Sequence, residues 1–175
     1  MKKKALIVTI LLHSLLLITA YVFQGVVFPY MRVGGLVPLL LPVASTGIAL
    51  YEGRYTGGVT GLFAGILCDI SFNQPVATFT LFLTLTGLVV GALADALVLR
   101  GFVTYYICCV IVLIAFTFVQ MFPLVLPPLS IPVQSLIPTA IQQTLYSLIL
   151  AFPIWFFVRA LGGRAERMTS SGQPL

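Results

Sequence analysis

Charge is what this sequence has least of. Only 7% of its 175 residues are Asp, Glu, Lys or Arg, against roughly a quarter in an ordinary soluble domain. With 60% of the residues hydrophobic, no soluble fold of this size could hydrate the surface left over. Four acids and one histidine make up the whole stock of acid–base groups, and no HExxH, GxSxG or phosphate-loop pattern occurs. The chain is therefore expected not to be an enzyme and to need no cofactor or metal. Paired intramembrane charges and inverted repeats, the marks of ion-coupled carriers, are also missing. Cysteine is scarce: Cys68, Cys108 and Cys109 lie within apolar runs without a CxxC spacing, which argues against a disulfide framework or a zinc site. The net charge of +5 is scattered at the ends of apolar runs and forms no basic face, so nucleic acid is not an expected partner.

What remains is a series of apolar runs of membrane-crossing length, where ~20 helical residues span a hydrocarbon core of ~30 Å. The pattern predicts an all-α integral membrane protein with six transmembrane helices, at about 5–27, 36–51, 55–71, 78–99, 102–122 and 137–160. The polar remainder, 161–175, reads as a flexible cytoplasmic tail. The second run carries Pro38 and Pro42, and Pro42 is expected to kink it. The third is short and barely crosses. Between the fifth and sixth runs, residues 123–138 include five prolines and favour extended or re-entrant backbone. His13 is read as a packed neutral side chain, Glu52 as part of a solvated turn beside Arg54, and Trp155 as an interfacial anchor.

Orientation follows from the basic residues. With the amino terminus inside, the cytoplasmic side holds Lys2, Lys3, Lys4, Arg54, Arg100, Arg159, Arg164 and Arg167, whereas the other side holds Arg32 alone. Such a one-sided split across short loops is what the positive-inside rule demands, and it sets both termini in the cytoplasm. The apolar run after the lysines continues past Ala20, and Ile18 is a poor match to a cleavage site, so the first helix is expected to stay uncleaved.

The densest pattern is glycine. Gly53, Gly57, Gly61 and Gly65 recur every four residues and Asp69 takes the next place; Gly87 and Gly91 repeat the spacing in the fourth run. Residues four apart share one side of a helix, so the third helix presents a groove without side chains that another helix can approach closely. That neighbour is either within the bundle or a partner protein. Asp69 and Asp95 fall near helix ends on opposite sides of the membrane, so they are not a catalytic pair. Capping and loop hydrogen bonding compete with a partner-binding role for Asp69, and Arg100 could offset the helix dipole at Asp95.

The stretch Pro38-Leu-Leu-Leu-Pro42, then Tyr51-Glu52-Gly53, Gly57-Gly58, Gly61-Leu-Phe-Ala-Gly65-Ile-Leu-Cys-Asp69-Ile70 and Gly87-Leu-Val-Val-Gly91 resembles the MreD family of rod shape-determining membrane proteins. That family has about six spans and a glycine-rich third helix running into an Asp flanked by hydrophobic residues. The resemblance covers roughly the middle third of the chain; the fifth and sixth spans match only in topology and hydropathy. It implies a non-enzymatic scaffold in the bacterial cytoplasmic membrane, surrounded by lipid and binding a bitopic MreC-like protein. Through that partner it would reach a RodA-type glycosyltransferase, a class B penicillin-binding protein and the MreB cytoskeleton. It also implies an S-component-like bundle, because the MreD fold is thought to be related to the S components of energy-coupling-factor vitamin transporters. An S component is the alternative function, with Tyr30, Asn73, Gln74 and Gln134 as the available vitamin contacts.

Overall fold

A computed structural model describes residues 2–30, 37–72, 77–97, 101–125 and 133–170. Among them are six α-helices: α1 (Lys2–Val22), α2 (Leu40–Glu52), α3 (Arg54–Ser71), α4 (Thr78–Leu97), α5 (Phe102–Val125) and α6 (Val133–Ser170). A π-helical turn, Phe23–Val27, and a 3₁₀ turn, Phe28–Tyr30, follow α1.

The bundle has an inside helix. Every residue from Pro38 to Leu50 is buried, and α2 packs against each of the other five helices. These follow one another around it in the order α1, α3, α4, α5, α6 and back to α1. A helix that is apolar on all sides has no amphipathic reason to lie at a surface, and Leu41, Ile48 and Ala49 are completely enclosed. The five outer helices instead expose large hydrophobic residues, among them Leu15, Phe63, Leu85, Ile111 and Ile149. An apolar exterior this extensive suits lipid rather than water. Among the described residues, three helical segments, Thr78–Ala96, Phe102–Phe122 and Leu136–Ala160, are long and apolar enough to cross a membrane, and Leu11–Val27 is a shorter apolar one.

Several expectations are corrected. α2 begins at Leu40 and not at 36, so Pro42 falls in its first turn, where no intrahelical N–H is needed and a proline gives no reason for a kink. α5 runs on to Val125 and α6 starts at Val133, which makes helix of most of the proline-rich stretch; residues 126–132 lie outside the described residues. Pro138 and Pro153 both sit inside α6. The expected tail is helical as far as Ser170. Trp155 is buried, and its indole N–H donates to the Tyr51 hydroxyl at 2.8 Å, so it packs helix to helix.

Candidate functional site: the α3–α4 seam and the polar ends of the helices

The glycine stripe of α3 faces α4 along its length. A Cβ on Gly61 would overlap the Leu83 carbonyl, and one on Gly65 would overlap the Thr80 backbone. From the other side, a Cβ on Gly87 would overlap the Gly57 carbonyl, and one on Gly91 would lie 2.5 Å from Arg54 Cα. Gly57 is also closed in by α2, where Ala49 Cβ would be 2.7 Å away. Backbone thus rests on backbone, the arrangement that small residues permit where lipid gives helices no hydrophobic reason to associate. Gly53 precedes α3 and continues the stripe against α4, where a Cβ on Gly91 would lie 2.7 Å from its carbonyl carbon. It forms the turn between α2 and α3 at φ +86°, and its missing side chain leaves room for the Asp95 carboxylate.

Both aspartates close helix ends. Asp69 accepts the N–H groups of Phe79 (3.0 Å) and Thr80 (2.9 Å) and the Thr80 hydroxyl (2.5 Å). These are amides of the first turn of α4, which has no intrahelical acceptor for them. Ala77, the residue before α4, has no side chain with which to cap them. Asp69 therefore does an N-cap's work from a neighbouring helix, where its charge meets the positive end of the α4 dipole. Asp95 does the same for α3, accepting the Arg54 N–H at 3.1 Å. Its charge is offset by that helix start; Arg100 lies outside the described residues.

The start of α2 is closed in the same way. Gln24 Oε1 accepts the N–H groups of Leu40 (2.9 Å) and Leu41 (3.2 Å), and Ser147 Oγ accepts that of Leu39 (2.8 Å). Gln143 donates to the Val37 carbonyl at 3.2 Å. The next position is Pro42, which has no N–H, so each amide entering this buried helix is matched. The π turn is what brings Gln24 inward, between the exposed Phe23 and Val26. Residue types alone gave no sign of these three polar side chains' role; the only available signal was an amide or hydroxyl set among apolar neighbours.

Glu52 is not a solvated turn residue. It is half-buried at the end of α2 with Oε1 3.7 Å from Nε2 of the buried His13, so the acid facing that histidine comes from another helix. Of the basic residues expected to anchor the helices, Arg54 lies over the Tyr55 ring (4.7 Å) and Arg159 over Trp155 (5.0 Å). The side chains of Lys2, Lys3, Lys4 and Arg164, and all of Arg100, lie outside the described residues, as do Asn73 and Gln74. Tyr30 and Gln134 are exposed and apart from the polar cluster at α2. Cys68, Cys108 and Cys109 are buried free thiols, and among the described residues no three His, Cys, Asp or Glu side chains gather. Comparison with protein-family models, curated proteins and solved structures finds no match.

Proposed function

We propose that this chain is a six-span, non-enzymatic scaffold of the bacterial cytoplasmic membrane with both termini inside, an MreD-like subunit of the cell-elongation machinery. In this reading it binds an MreC-like bitopic protein and through it joins the peptidoglycan-synthesising enzymes to the MreB cytoskeleton. The observation that carries the proposal is that the residues behind the resemblance, Gly57, Gly61, Gly65, Asp69, Gly87 and Gly91, form one continuous element. That element is a closely packed helix pair, joined by backbone packing along its length and by a carboxylate at each end. A closely packed apolar body suits a protein whose task is to hold others. The one-sided distribution of basic residues supports the topology.

Co-expression with the MreC-like protein of the same genome tests it. Stoichiometric co-purification of the two from detergent is expected, with the carboxyl terminus accessible only from the cytoplasm. Absence of that complex, together with a vitamin bound at stoichiometric amount in mass spectra of the denatured protein, would overturn the scaffold reading for a transporter subunit. Gly61→Leu is a poor probe of the partner, because that position is filled by α4.

A further inference from the structure

The exposed face of α6 carries a feature that lipid alone does not satisfy. Pro138, Gln142, Leu145, Ile149, Phe152 and Phe156 are all exposed and follow one another in alternating steps of four and three, the a/d spacing of a helix seam. Within this apolar stripe Gln142 is the exception, and among the described residues its carboxamide makes no hydrogen bond. It is the only exposed carboxamide described within the three long apolar segments. It lies six residues inside Leu136–Ala160, about 9 Å below the end of the span at 1.5 Å per residue. Hydrocarbon offers such an amide no partner. The exposed Thr19 of α1, by contrast, returns its hydroxyl to the Leu15 carbonyl at 2.7 Å.

We infer that this face of α6 is the seam of a homodimer, in which Gln142 of one copy pairs with Gln142 of the other. The inference rests on α6 crossing the membrane, as in the function proposed above. Two copies inserted in the same orientation are related by a two-fold axis along the membrane normal, so their α6 helices run parallel and each residue near the axis meets itself. A carboxamide suits that meeting because it both donates and accepts. One polar residue at an a position of an otherwise apolar seam fixes register, and the stripe carries no like charges to repel. Toward the cytoplasmic end, the Phe152 and Phe156 rings are steadied by Phe102 (6.0 Å between centroids) and Trp155 (5.0 Å), which leaves two ordered aromatic knobs on the same face.

The test uses the full chain purified in a density-matched detergent. Sedimentation equilibrium is expected to show a dimer that Gln142→Leu weakens by about three- to thirtyfold, the range of measured interhelical hydrogen bonds, and that Gln142→Asn largely retains. In native membranes, Leu145→Cys and Ile149→Cys are expected to form disulfides between copies on oxidation, whereas Ile111→Cys on α5 does not. A monomer at every protein-to-detergent ratio overturns the inference, as does a dimer indifferent to Gln142→Leu or a Leu145→Cys adduct with a different protein. Recovery of each variant from carbonate-washed membranes separates these outcomes from a failure of the membrane reading itself.

Discussion

The carboxylate of Asp95, near the end of α4, accepts the backbone N–H of Arg54, the first residue of α3. At the other end of the pair Asp69, near the end of α3, accepts two N–H groups from the start of α4. Each helix supplies the cap that the other lacks. First-turn amides have no acceptor within their own helix, so the acids complete the helix pair by satisfying groups that the glycine seam leaves open.

Asp69→Ala is therefore expected to destabilise the protein by about 2–3 kcal/mol, since a charged acceptor of three hydrogen bonds is lost and first-turn amides are orphaned. Asp69→Asn keeps an acceptor and is expected to cost about half as much. Asp95→Ala, at an exposed end with one such bond, should fall below about 1 kcal/mol. Denaturant unfolding in one fixed detergent ranks the three, and a wild-type midpoint for Asp69→Ala would remove the capping argument.

Glycine substitutions separate the seam from ordinary helix propensity. At Gly61 and Gly65 an added methyl group runs into backbone of α4, which cannot turn aside as a side chain can. Gly61→Ala and Gly65→Ala are expected to lose about 1–3 kcal/mol each through overpacking. Gly25 has open space around it, and Gly25→Ala is expected to be neutral or to gain about 0.5 kcal/mol by restricting the unfolded chain. Thermal midpoints of the three variants side by side decide it, and equal losses at all three would mean that the seam is not tight.

Much of this architecture is legible in the sequence for a physical reason. Apolar run length fixes where helices lie, and a four-residue glycine period fixes which side of α3 is bare, so both features appear before any tertiary contact is known. The helix that α3 meets is not encoded in the period, because a bare face accepts any close neighbour. The kink expected at Pro42 assumed a helix starting near residue 36, whereas the start of α2 at Leu40 depends on Gln24, 16 and 17 positions from the amides it closes, and on Ser147, 108 positions from its own. Glu52 misled for a similar reason: its neighbours in the chain, Gly53 and Arg54, suggest solvent, while its neighbour in space is His13.

Gln24 gives a third test. Gln24→Leu keeps the volume but leaves the Leu40 and Leu41 amides unmatched in a buried place, at an expected cost of about 2–4 kcal/mol. Ser147→Ala orphans one amide and should cost about 1–2 kcal/mol. Because both close the same helix start, the double variant is expected to depart from the sum of the single losses. Hydrogen exchange at residues 39–41 reports the same event locally, and unchanged protection there in Gln24→Leu would contradict the assignment.

The His13–Glu52 contact ties α1 to the end of α2, and its contribution can be isolated from packing. His13 is buried and Glu52 half-buried, with 3.7 Å between Nε2 and Oε1, so each single substitution removes the polar group that faces the other and should cost more than that side chain's share of the interaction. His13→Leu and Glu52→Leu are each expected to lose about 1–3 kcal/mol, and the double variant is expected to lose less than the two losses added together. The difference, about 1 kcal/mol or more, is the coupling. It is read from unfolding of the four proteins in the same detergent at the same pH. Strict additivity would mean that His13 and Glu52 lie side by side without interacting, and that α1 is held against α2 by its apolar residues, such as Leu17 and Ala20, alone.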